Sequence, residues 1–99
     1  MKLYHAATRA NAENIAKHGF IDPNGGKYVG AGVWFAERSL IGHSMFEGED
    51  VDSYVTIDVP DISVLEEYRA EKSPDEDFDG WEIPHDIANR YFTDRTVYP

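Results

Sequence analysis

Lys27-Tyr28-Val29-Gly30-Ala31-Gly32-Val33-Trp34-Phe35-Ala36-Glu37 is the stretch from which the fold is read. Gly30 and Gly32 lead straight into Val33-Trp34-Phe35, which has strong strand preference. Glycine ahead of a strand lets the chain turn tightly, or lets another group approach its backbone closely. Side chains alternate along a strand, so Trp34 and Phe35 are expected on opposite faces. One ring then enters the core while the other lines a cleft. A glycine-rich turn feeding an aromatic core strand explains the stretch by itself; the first and last thirds of the chain give it a second meaning.

Toward the start, residues 2–7 read as a strand with Leu3 and His5 on one face and Tyr4 and Ala6 on the other. Thr8 can cap a helix in which Ala12, Ile15 and Ala16 form a narrow buried stripe. Lys17 and His18 suit the negative end of that helix, and Gly19 stands where a left-handed residue ends it. Asp22-Pro23-Asn24-Gly25-Gly26 is dense in turn formers. Toward the end, a short helix is expected over 39–46. Residues 54–59 alternate as a half-buried strand, with Val55, Ile57 and Val59 inward. Residues 62–68 fit a helical turn or an extended run. Residues 78–83 read as a strand stopped by Pro84, a short helix follows over 85–91, and 95–98 form a terminal strand. Strands with segregated short helices predict an α+β fold, a single domain over 1–99.

Bulk properties narrow the function. The 99 residues suffice for one modest core, and 41% hydrophobic content fits a folded chain. No cysteine is present, which removes disulfides and thiolate metal sites. No apolar run is long enough to span a bilayer, and the opening residues lack a signal-peptide core, so a cytoplasmic protein with no membrane partner is expected. Nine basic against nineteen acidic residues give a net charge of −10, with much of the excess at 47–52 and 75–79. That balance argues against a broad grip on nucleic acid; the acidic runs read first as solvated loops and second as a surface for a basic partner. His18, His43 and His85 show no ligand spacing, so no metal site is expected.

Three blocks fall in a recognisable order: Leu3-Tyr4-His5-Ala6-Ala7-Thr8-Arg9 with His18-Gly19-Phe20 closing the helix; Gly30-Ala31-Gly32-Val33-Trp34-Phe35-Ala36-Glu37; and Gly80-Trp81-Glu82-Ile83-Pro84. Together they resemble the ADP-ribosyltransferase superfamily, in its poly-ADP-ribose-polymerase and diphtheria-toxin-like branch. The resemblance implies a split antiparallel β-sheet with short flanking helices, and NAD as co-substrate. It implies that His5 bonds the ribose 2′-hydroxyl of NAD, and that Ala6, where the family usually has glycine, holds the nicotinamide amide through its backbone. Arg9 would face the adenosine half. Gly32 would lie against the cofactor, and Trp34 would take the place of the family's tyrosine beside the nicotinamide ring. A second aromatic about eleven residues on would sandwich that ring; Met45 or Phe46 falls there, with Phe46 favoured, and Ser44 would bond the carboxamide. The catalytic acid would be Glu82, with Asp79 the second candidate because the match is out of step by a residue. The toxin-type Glu-x-Glu and Ser-Thr-Ser motifs are absent.

The chemistry can be stated without the family. Breaking the nicotinamide–ribose bond builds positive charge on the ribose. A carboxylate beside it stabilises that charge and orients the attacking group. Flat rings hold the departing nicotinamide, and a histidine fixes the sugar. The leading expectation is therefore an NAD-dependent mono-ADP-ribosyltransferase acting on a protein acceptor, catalysed by Glu82 and His5. One alternative is a catalytically degenerate NAD- or ADP-ribose-binding module, or an acidic protein-interaction module. Another is an RNA 2′-phosphotransferase-like activity, which the acidity of the chain disfavours. Taken singly, His5 and Trp34 also read as core residues, Phe46 as core, and Glu82 and Arg38 as surface charges.

Overall fold

A computed structural model describes residues 1–21, 32–39, 51–70 and 79–98. Strand β1 (Lys2–Thr8) leads directly into helix α1 (Arg9–His18); β2 (Val33–Ala36) and β3 (Val51–Asp58) follow. A 3₁₀ helix (Ile62–Tyr68), β4 (Gly80–Ile83) and α2 (His85–Arg90) complete the order. The expected helix over 39–46 lies outside the described residues apart from Ser39, as does Phe78.

The strand–helix junction is set by one side chain. Thr8 is extended, and its hydroxyl accepts from the Asn11 amide. This satisfies one of the free donors that open every helix. At the other end Gly19 takes φ 82°, and its amide closes onto the Ile15 carbonyl. A side chain there would meet a second obstacle, because an added Cβ would fall 2.8 Å from Asn89 Oδ1.

The sheet has four antiparallel strands in the order β3-β1-β2-β4. β1 pairs with β3 along its whole length, from Lys2↔Asp58 to Thr8↔Val51. β2 pairs with β4 from Val33↔Ile83 to Ala36↔Gly80. Between these two ribbons, β1 and β2 share one register pair among the described residues, Tyr4↔Ala36. Each outer edge carries a backbone contact from its own chain. Tyr98 exchanges two backbone bonds with Tyr54, and Ala70 donates to the Gly80 carbonyl. An edge strand left bare would invite pairing with another chain.

Alternation decides what is buried. Leu3 and Ala7 of β1, Val33 and Phe35 of β2, Val55 and Ile57 of β3, and Trp81 and Ile83 of β4 share one face. Ala12 from α1, Leu65 from the 3₁₀ helix, and Ala88 and Phe92 cover it, so every element contributes to one core. Burying each large aliphatic side chain there contributes about 1.5–3 kcal/mol before entropy is counted. Phe20 sits in this layer, with ring centroids 5.4 Å from Phe35 and 4.9 Å from Phe92.

Three sequence expectations change in detail. The ambiguous run 62–68 is a 3₁₀ helix capped by the Asp61 carboxylate, which accepts from the Ser63 amide. Thr56 is buried although it points away from the main core. The terminal strand expected over 95–98 is a single bridge at Tyr98. Asp94 accepts from the Thr96 amide and the Tyr98 hydroxyl, which turns the backbone and leaves one residue to reach β3. These bonds hold the Asp94 carboxyl down at about 2.

Candidate functional site

The candidate site lies where β1 and β2 part. His5 follows Tyr4, the one residue of β1 with a partner on β2 among those described. In place of a further ladder bond, the His5 ring crosses the gap, and Nδ1 lies 2.8 Å from the Trp34 carbonyl oxygen. The ring packs against Phe20 and Phe35, with centroids 5.9 and 5.7 Å away. Removal from water pushes the imidazole pKa down, and the nearby charge of His85 does the same. The bond to Trp34 acts in the opposite direction and is outweighed. The ring is therefore held neutral. With a carbonyl as its partner, Nδ1 carries the hydrogen and Nε2 is left as an acceptor.

Trp34 is 58% exposed, whereas its neighbour Phe35 is 2% exposed. The expected division of the two rings between opposite faces is what the strand adopts, with Phe35 in the core and Trp34 exposed. Glu82 stands directly opposite Trp34 in the β2–β4 ladder, on the same face. Trp81, the residue out of step with the family pattern, points to the buried face. Its indole Nε1 is buried and has no hydrogen-bond partner among the described residues.

Gly32 is required by this pairing. A Cβ at that position would fall 2.8 Å from Glu82 Cγ and 3.0 Å from the Ile83 carbonyl oxygen. The glycine ahead of the strand thus serves close approach by Glu82 and the β4 backbone. The second candidate acid, Asp79, is engaged elsewhere. It accepts from Arg69 at 2.9 Å, and its backbone exchanges bonds with Glu37. The arginine is held more strongly protonated by that contact.

The remaining expected positions divide clearly. Ala6 is partly exposed at the parting of the strands, one residue beyond His5 on the Trp34 face. Arg9 is exposed and pairs with Glu13 at 3.1 Å, one helical turn on. Ser44, Met45, Phe46 and Gly30 lie outside the described residues. The expectation that the imidazole and the indole enter one pocket is not met. Tyr4 pairs with Ala36, so His5 shares a face with Phe35 and Trp34 belongs to the other. The two residues meet through a backbone carbonyl, with their rings on opposite faces of the sheet. His85, set aside in the sequence as a helix start, is the residue whose charge reaches His5. Its only signal was its position after Pro84, which ends β4 near the site.

Comparison with protein-family models, with curated proteins and with solved structures finds no match. Among the described residues no group of acidic and histidine side chains is placed to hold a metal ion. No helix among them is long and apolar enough to cross a membrane.

Proposed function

We propose that the chain is an NAD-dependent mono-ADP-ribosyltransferase with the fold of that superfamily, acting on a basic protein acceptor. The observation that carries this reading is the contact of His5 Nδ1 with the Trp34 carbonyl where β1 and β2 part. It fixes the ring so that a neutral Nε2 can accept a hydrogen bond from a sugar hydroxyl. On the face opposite that ring lie an exposed indole, the carboxylate paired with it across the ladder and a partly exposed Ala6, residue types that a ribosyl transfer from NAD uses.

NAD when bound supplies a ribosyl group whose leaving group is nicotinamide. Here His5 orients the sugar through Nε2, Trp34 offers a flat face to the pyridine ring, and the Ala6 backbone lies at the opening to hold the amide. Glu82 faces the positive charge that grows on the ribose and takes a proton from the acceptor. Ala6 adds a methyl where glycine is usual, which narrows the approach without removing the backbone groups.

One observation favours a second reading, an NAD- or ADP-ribose-binding module without turnover. The rings of His5 and Trp34 occupy opposite faces, so a ligand touching both reaches into the gap between the strands. Nicotinamide release from NAD in the presence of an arginine-rich acceptor, beside calorimetric NAD binding, separates the two. Turnover lost in Glu82→Gln and kept in Asp79→Asn supports the transferase. Binding with no release by the wild-type protein leaves the binding module. No binding of NAD removes both.

A further inference from the structure

Asp79 and Glu82 lie three positions apart at β4 and differ in what balances their charge. Asp79 accepts from Arg69 at 2.9 Å. Glu82 has neither an ion pair nor a hydrogen bond among the described residues. Its register partner is Trp34, whose side chain stands 58% exposed. That indole meets no other ring and no cation among the described residues.

Residues directly opposed in an antiparallel pair have Cβ atoms ~4.5–5.5 Å apart on one face. The indole and the carboxylate therefore rise together from the sheet. Their neighbours on that face are small: Gly32 and Ala36 flank Trp34, and Gly80 precedes Glu82. The Glu82 side chain passes over Gly32, where an added Cβ would lie 2.8 Å from Cγ. It leans toward the start of β2, beside the indole.

We propose that this pair is the docking point for an arginine side chain of a partner protein, with the guanidinium lying on the Trp34 indole and its N–H edge turned to the Glu82 carboxylate. A guanidinium is planar, stacks on aromatic faces and carries a fork of donors that matches a carboxylate. A lysine ammonium is a compact, strongly hydrated charge with no flat face to lay on the ring. A quaternary ammonium is held by a cage of several rings, and here one indole stands beside one acid. The net charge of −10 draws a basic partner from a distance. Docking breaks no ion pair of Glu82 among the described residues.

The docking point stands apart from the transferase reading, because it needs no cofactor. Where that reading holds as well, the guanidinium and the pyridine ring claim the same indole. The partner then blocks NAD and is distinct from the protein that receives ADP-ribose.

The test titrates the wild-type chain with a short peptide of alternating arginine and glycine, and with its lysine and citrulline counterparts. Binding is followed by NMR at the indole N–H signals of Trp34 and Trp81. The Trp34 signal should move and saturate, while that of the buried Trp81 stays in place. The lysine peptide should bind about fivefold more weakly, and the planar but uncharged citrulline peptide should not bind. Trp34→Leu and Glu82→Gln should each weaken binding about tenfold, against less than about twofold for Glu67→Gln on the 3₁₀ helix. If Trp34→Leu does not fold, the wild-type Trp34 signal and the arginine-to-lysine ratio decide. Equal affinity for the two basic peptides with the Trp34 signal unmoved reduces the binding to diffuse charge and overturns the docking point. So does a Glu82→Gln no weaker than Glu67→Gln. NAD that displaces the bound peptide supports the docking point and the transferase reading together. A protein that binds the arginine peptide and not NAD keeps the docking point and removes the transferase reading alone.

Discussion

The ring of His5 and the carbonyl of Trp34, twenty-nine positions apart in sequence, meet at 2.8 Å across the opening between β1 and β2. This contact replaces ladder pairing at the centre of the sheet. It also sets the tautomer of His5, while burial of the ring sets its charge state and gives it a measurable pH signature.

His5 has its folded pKa lowered below the ordinary value of 6.5. The unfolded chain therefore binds a proton that the folded chain resists. Stability owed to the neutral ring is fully present above 6.5 and is lost as pH falls through the depressed folded value. The slope reaches at most about 1.4 kcal/mol per pH unit for one proton. Urea unfolding at successive pH values should show a decline below 6.5 that His5→Asn flattens. A wild-type protein and variant with the same slope would remove the neutral-ring argument.

Gly32→Ala should damage both fold and site. The new methyl would collide with Glu82 Cγ and with the backbone of Ile83, and backbone cannot move aside cheaply. A loss of about 1–3 kcal/mol is expected. Chemical denaturation reads the stability, and nicotinamide release should fall further than that of Asp79→Asn.

Asn89 holds Phe20 by two bonds: the Phe20 amide donates to Oδ1 at 2.7 Å, and Nδ2 donates to the Phe20 carbonyl at 2.8 Å. Asn89→Ala removes both partners from a partly buried backbone unit, at a cost of about 1–3 kcal/mol. Phe20 also packs on the His5 ring. The variant should therefore raise the KM for NAD as well as lower the melting temperature. An unchanged KM with reduced stability would confine Asn89 to the fold.

Asp79→Asn breaks the contact with Arg69, whose side chain is 45% exposed. Surface pairs of this kind contribute about 0–1 kcal/mol. Thermal unfolding should move by a few degrees at most, and turnover should persist. Loss of turnover with intact folding would transfer the acid role from Glu82 to Asp79.

Trp81→Phe should be tolerated better than most core changes. The buried Nε1 has no acceptor among the described residues, and a buried donor left unmet costs about 1–3 kcal/mol. Removing it offsets the smaller ring, so a net loss under 1 kcal/mol is expected by urea unfolding.

Much of this architecture is written in local signals. Thr8 and Gly19 bracket α1 because capping needs a hydroxyl at one end and a left-handed residue at the other. Val55, Ile57 and Val59 declare β3 through strict alternation. The run 62–68 resisted reading because Ile62 and Leu65, three apart, fit a 3₁₀ turn, an α-turn or a strand equally well. Residues 95–98 misled for a different reason: their β-preference is overruled by the Asp94 side chain. In the site, alternation separates Trp34 from Phe35 and Glu82 from Trp81. What the sequence does not carry is strand order. Pairing across forty-eight positions sets Glu82 against Trp34, and a backbone carbonyl, common to every residue type, receives His5.

The occupied rims of the sheet have a further effect. Tyr98 takes up the amide and carbonyl of Tyr54 on one margin, and Ala70 takes up the Gly80 carbonyl on the other. Strand addition at either of those two points would first have to displace a bond that the chain makes to itself.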